Sequence, residues 1–173
     1  IVVNDGSADR TAAIARGYRD PRIEVLDQPN AGEAAARNTA LGKIRGEFLA
    51  FLDADDEYLP CHLERLVGHL KAHADHDAVY SDGYYTNDAG ELLQTLASRR
   101  LPPREGNIFE QIVLASCMIG PPLCVVLRRG PLLDHQLCFD TGIPWGTDWD
   151  FFTRYAATCE FGYVDEPTCL YRI

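Results

Sequence analysis

Basic residues are scarce in this chain. Sixteen Lys and Arg stand against 26 Asp and Glu over 173 residues, a formal net charge of −10, with a sequence pI of about 4.8. Nucleic acids and anionic membrane surfaces are bound through basic patches, so neither is an expected partner. The pairs Arg99-Arg100 and Arg128-Arg129 are too short to reverse that balance. No apolar run approaches the ~20 residues that a membrane-spanning helix needs, which excludes such a span within this chain. The six cysteines, Cys61, Cys117, Cys124, Cys138, Cys159 and Cys169, form no C-x-x-C pair. Their spacing does not match a structural zinc site either. Several sit in apolar runs such as PPLCVVL, so buried, reduced thiols in a cytoplasmic protein are expected. Repeats, linkers and low-complexity tracts are absent too. A 46% hydrophobic chain of this length then reads as one globular domain with a sizeable core.

What is present is a concentration of carboxylates at one point. Residues 47 to 60 read EFLAFLDADDEYLP, an apolar run that empties directly into Asp53, Asp55 and Asp56. Like charges this close raise one another's pKa and repel, so the cluster costs stability unless a cation or a donor network offsets it. Hard divalent cations take oxygen ligands, and Mg²⁺ commonly uses one or two carboxylates together with substrate phosphates. A cation would therefore reconcile an acidic protein with an anionic ligand. An EF-hand reading puts Asp53, Asp55, Glu57 and Glu64 at the first, third, fifth and twelfth loop positions, but Tyr58 stands where glycine is required. A phosphatase with an aspartyl nucleophile also places Asp-x-Asp after a strand. The downstream Ser/Thr and Lys series of such a site is missing here, and that alternative stays open.

The rest of the chain alternates between two periods. IVV runs into the turn NDGS, Ser7 is expected to cap a helix from about residue 8 to 18, and RIEVLDQ follows as a strand. An Ala-rich helix is expected from Asn30-Ala31-Gly32 to about Lys43, then FLAFLD as a strand buried on both faces. Leu63, Leu66, Val67 and Leu70 keep helical spacing after Pro60, and AVYSD returns as a strand. Beyond Tyr84 the order weakens. TNDAGE reads as a hairpin-like turn, SRRLPPREGN as an irregular loop, and residues 108 to 115 as a short helix. PLCVVLRR follows as a strand, GTDWDFFTRYAATC as a helix with Trp149, Phe152 and Ala156 on one face, and FGYVDEPTCLYRI as extended segments. This pattern predicts an α/β doubly wound sheet, in which ligands bind beyond the carboxyl ends of the strands, where Asp5 and Asp53 fall. The Gly in NDGS permits close backbone approach, and a helix N-terminus just beyond suits an anionic or hydrogen-bonding ligand. The same four residues are also ordinary turn chemistry.

Four separated stretches, IVVNDGSAD, NAGEAAARNTAL, FLDADD and GTDWDFFTRYA, resemble in this order and spacing the family 2 glycosyltransferases. FDTG before the last stretch and LYRI after it fit as well. The resemblance covers essentially the whole chain. It implies a GT-A fold with a mostly parallel sheet flanked by helices, a nucleotide-sugar and metal half over residues 1–83, and an acceptor and catalytic-base half over 84–173. It also implies inverting transfer from a nucleotide-diphosphate sugar to a saccharide, lipid-linked or other hydroxyl acceptor, with Mg²⁺ or Mn²⁺ as cofactor. By matching motif, Asp5 would contact the nucleobase, Asn30 and Arg37 would line the nucleotide pocket, and Asp53 would sit near ribose and metal. Asp55 would ligate the metal and Asp148 would be the catalytic base. Asp148 falls at the start of a helix, with Asp150 as a rival two residues on. The family usually has Glu where Thr147 stands, a good helix N-cap. Family members also begin with a strand ahead of the segment matching Ile1, so the chain is expected to be part of a longer protein whose first strand it lacks. Synthesis of envelope polysaccharide, in the cytoplasm or peripherally at the inner face of the membrane, is the family-level expectation. A non-catalytic binding or scaffolding remnant of the fold is the alternative.

Overall fold

The structure, a computed structural model, describes residues 1–115 and 118–173. In chain order it begins with β1 (Val2–Asp5), α1 (Thr11–Gly17), β2 (Val25–Gln28), α2 (Glu33–Leu41), β3 (Phe48–Ala50), β4 (Glu57–Tyr58), α3 (His62–Ala72) and β5 (Ala78–Thr86). It continues with β6 (Leu92–Thr95), α4 (Phe109–Leu114), β7 (Val125–Arg128), α5 (Arg129–Asp134), α6 (Thr147–Ala156) and β8 (Phe161–Arg172). The chain divides into two compact units, residues 1–46 with 138–151, and residues 47–137 with 152–173. None of the described helices is long and apolar enough to cross a membrane.

The first unit holds the β-α-β opening expected from the sequence. β1 and β2 pair in parallel, Val2 opposite Val25 through Asp5 opposite Gln28. Helix α1 starts later than expected, at Thr11, and Ser7 does not cap it. The Ser7 N–H instead donates to Asn4 Oδ1 at 3.2 Å, and Asp9 Oδ1 accepts the Thr11 N–H at 2.9 Å. The Asn side chain closes the turn on itself, which leaves Ser7 out of register with the helix. Asn38 ties α2 to residue 139 in both directions, its Nδ2 donating to the Phe139 carbonyl and its Oδ1 accepting the Phe139 N–H, each at 2.8 Å.

The second unit is built on a sheet in the order β3-β7-β5-β8-β4, with β6 paired to β5. Across both units only β1–β2 and β5–β8 run parallel among the described strands, and the other pairings are antiparallel. The α/β class holds, but this sheet is mixed rather than mostly parallel, because β7 and β4 return as antiparallel neighbours instead of through helical crossovers. Strand β3 ends one side of its sheet and is half-buried along its length, not covered on both faces. Leu52, just beyond it, is 52% exposed. The centre of the sheet is β5, whose first six residues are all buried. Leu66 and Leu70 of α3, one turn apart, pack on Val79 and Val126. Burying such a side chain contributes about 1.5–3 kcal/mol. Leu63 lies outside this face, at 51% exposure.

Residues 161–172 form a single long strand. The β5–β8 register slips between Ser81 opposite Val164 and Asp82 opposite Pro167. Proline has no N–H for the ladder, so the strand bulges there and resumes. The expected turn at TNDAGE is present, with Asn87 Oδ1 accepting from Ala89 and Glu91 N–H, each at 3.0 Å. On α6 the buried residues are Phe151, Phe152, Tyr155 and Ala156, whereas Trp149 is 42% exposed. Cys124, Cys159 and Cys169 are buried free thiols as expected, Cys61 is half-buried, and Cys138 is exposed. Cys117 lies outside the described residues.

Candidate active site

In the first unit Asp5 and Asn30 meet at the turn after β1, whereas no described contact brings Arg37 or Asp148 to it. Gly6 adopts φ +74°, and a Cβ there would lie 2.8 Å from the Asn30 nitrogen, so only glycine lets the two backbones meet. Asp5 anchors the opposite strand's loop. Its Oδ1 accepts from Gln28 Nε2 at 2.8 Å and from the Ala31 N–H at 2.9 Å, and its Oδ2 accepts the Gly32 N–H at 2.8 Å. Gln28 is itself oriented by the Thr39 hydroxyl, which donates to Oε1 at 2.6 Å. The Ala31 amide, followed by the Gln28 amide, holds the Asp5 carboxyl below the usual carboxylate range. Asn30, between these anchors, is exposed. Arg37 is 8% exposed, with its guanidinium paired to Glu33 one turn earlier and 5.3 Å from the centre of the Phe139 ring. Asp148 and Asp150 both lie in the first turn of α6 and are half-buried. Asp148 Oδ1 accepts the Trp149 N–H at 2.9 Å, and Thr147 is the first helical residue rather than the cap.

In the second unit the acidic turn joins β3 to β4. The Asp56 N–H donates to the Asp53 carbonyl at 3.2 Å, and the Tyr58 hydroxyl donates to the Phe51 carbonyl, closing the turn from inside. Three carboxylates in four residues therefore take three environments: Asp53 half-buried, Asp55 exposed, Asp56 buried. Asp56 Oδ1 accepts the Arg172 N–H at 3.0 Å, and Oδ2 has no partner among the described residues. Burial pushes the Asp56 carboxyl up to about 6, the charges of Asp55 and Asp53 add to the rise, and the Arg172 N–H opposes it. Behind the turn, Tyr58 stacks on His62 at 3.9 Å. His62 Nδ1 lies 2.7 Å from Thr168 Oγ1, which lies 2.6 Å from Ser81 Oγ.

These donors are hard oxygens, the set a Mg²⁺- or Mn²⁺-sized cation takes. Among the described residues no three His, Cys, Asp or Glu side chains form a group able to hold a metal ion. Asp55 and Asp53 alone are too few to enclose a cation, so any cation there would need oxygen ligands from outside the protein. Asp5 and the acidic cluster were legible from sequence. Arg172 was not: it meets residues 116 and 117 positions away, and only the strand register brings them together.

The fold is of the GT-A class of α/β proteins. Crystal structures of Staphylococcus aureus TarS share it. The TarS 1-349 complex with UDP superposes with a TM-score of 0.75 at 20% identity, over 99% of this chain and 50% of that one. The complex with UDP-GlcNAc gives 0.69 at 18% identity, over 99% and 48%. The family model for glycosyl transferase family 2 matches residues 1–133, and the chain belongs to that family. It is 40% identical to the succinoglycan biosynthesis protein ExoO of Rhizobium meliloti, over 99% of this chain and 50% of that protein. An uncharacterized glycosyltransferase of Methanocaldococcus jannaschii is 27% identical over 100% of this chain and 59% of its own length. The chain spans less than two thirds of each of these relatives.

Proposed function

We propose that this chain carries out inverting, metal-dependent transfer of a sugar from a nucleotide-diphosphate sugar to an acceptor hydroxyl. The observation that carries the reading is the acidic turn: in a family 2 chain, Asp55 stands exposed beside Asp53 on a loop whose backbone is closed by internal hydrogen bonds. Asp5, Asn30 and Arg37 are the proposed nucleotide-side residues. A divalent cation, Mg²⁺ or Mn²⁺, held by Asp55 with Asp53 would offset the charge of the departing diphosphate. Asp148 is the proposed base. Its carboxylate takes the proton of the acceptor hydroxyl as that oxygen bonds to the anomeric carbon and the bond to the diphosphate oxygen breaks. One displacement inverts the centre and needs no carboxylic acid partner of the kind a glycosidase uses. The UDP and UDP-GlcNAc complexes of TarS support a nucleotide-sugar donor, and the role of ExoO in succinoglycan biosynthesis supports a polysaccharide acceptor. The proposed setting is the cytoplasm, peripheral to the inner face of the membrane where the acceptor is lipid-linked.

Asp148→Asn tests the chemistry. It keeps shape and much of the hydrogen bonding but removes the base, so transfer falls by roughly 10²-fold or more while donor affinity and Tm stay near wild type. If Asp150→Asn removes transfer and Asp148→Asn leaves it intact, the base is Asp150. If neither changes the rate, this chain does not catalyse by this route.

A further inference from the structure

Arg172 makes two hydrogen bonds to the acidic turn. In the β4–β8 ladder Glu57 lies opposite Leu170 and Tyr58 opposite Cys169. Continuing that antiparallel register by two residues sets Arg172 opposite Asp55. Strand β8 is fixed on its other side by β5, with Thr86 opposite Arg172, so the register cannot slide without breaking both ladders. From this position Arg172 holds the turn at two points. Its backbone N–H donates to Asp56 Oδ1 at 3.0 Å, and its Nε donates to the Asp55 carbonyl oxygen at 3.0 Å. The turn is therefore held at one backbone atom, the Asp55 carbonyl oxygen, and at one side chain, the Asp56 carboxylate.

The charge placement is informative. A guanidinium beside three carboxylates would ordinarily form a bidentate pair with one of them. Here its Nε–H donates to the Asp55 carbonyl, and among the described residues the guanidinium makes no ion pair with the Asp55 or Asp56 carboxylate. The carboxylate of Asp55 stays exposed. Such a contact leaves the carboxylate oxygens of Asp55 available.

Resting on the glycosyltransferase reading, we infer that Arg172 is a positioning residue: through its Nε–H it fixes the Asp55 peptide so that the Asp55 carboxylate is presented to a divalent cation and the diphosphate it carries. The essential feature is the hydrogen-bond donor, not the charge.

Two variants separate these. Arg172→Gln keeps a side-chain N–H donor without the charge, and Arg172→Met removes both at similar bulk. Free Mn²⁺ is measured by electron paramagnetic resonance in titrations with and without UDP, alongside KM for the donor, kcat and Tm. The methionine variant is expected to bind Mn²⁺ with UDP about tenfold or more weakly, with raised KM and a Tm within a few degrees of wild type; the glutamine variant stays within about threefold. The inference is overturned if the methionine variant binds like wild type, or if the glutamine variant is as weak as the methionine one. Should the methionine variant fail to fold, Arg172→Ala takes its place as the variant without a side-chain donor, with the same outcomes supporting or overturning the inference. If the wild-type protein shows no metal-dependent UDP binding, the proposed function falls and this inference with it; wild-type binding with an indifferent methionine variant removes only the Arg172 role.

Discussion

The Asp5 carboxylate accepts three hydrogen bonds, from Gln28, Ala31 and Gly32, and so holds the loop that leads into α2. A carboxylate offers about four lone-pair sites, which leaves room for one further donor such as a nucleobase N–H. Because the folded state depresses its pKa below the ordinary 3.8, Asp5 contributes stability that is present above that value and is lost as pH falls through the folded one. Asp5→Asn puts an amide NH₂ where an acceptor is needed, so at least one of the three donors then faces a donor. Amide exchange at Ala31 or Gly32 is expected to quicken by roughly tenfold or more; unchanged protection at both would show that Asp5 does not anchor the loop. The importance of Asp5 was visible in NDGS, because the strand end and the glycine mark it. Its partners were not, since nothing in the sequence says that β2 lies beside β1 in register.

Helices and strands carry the next level of the design. Helix α3 was readable from Leu66 and Leu70, yet its third buried position is His62, fully enclosed between Tyr58 and Thr168. Burial lowers the His62 pKa from 6.5 to about 4. The unfolded chain then binds a proton that the fold refuses, so this contribution to stability is complete above about 6.5 and disappears as pH falls toward 4. Asp56 works in the opposite sense, because its raised pKa makes the fold bind a proton more readily than the unfolded chain does, and its contribution weakens as pH rises through about 6. Denaturant melts between pH 7 and 5 should show wild type losing on the order of 1 kcal/mol more than His62→Gln. Equal slopes would mean that His62 titrates in the fold as it does in the unfolded chain. Strand β3 shows why element identity was easier to read than element environment. Phe48 to Leu52 is apolar enough for a buried strand, but whether a strand has neighbours on one side or two depends on the topology of the sheet, which local pattern does not encode. Ser7 illustrates the same limit at a helix end, where Asn4 competes for the turn.

At the scale of the whole chain, an acidic protein is proposed to bind an anionic donor, and the proposed cation reconciles the two. Family membership was legible because the four motifs keep their order and their positions at strand and helix ends, which is a property of the fold as much as of the chemistry. What remained hidden was long-range: the return of β8 along β5 and β4, the mixed sheet it creates, and the arginine it delivers to the acidic turn. Calorimetric titration with UDP in the presence and absence of Mn²⁺, on wild type and on Asp55→Ala, reads the proposed role of that turn directly. Wild type is expected to bind UDP far more tightly with Mn²⁺ than without, and Asp55→Ala to lose that gain by roughly 10²-fold while keeping its Tm. Metal-dependent affinity left intact in Asp55→Ala would contradict the assignment of the acidic turn as the site that joins the protein to the donor's diphosphate.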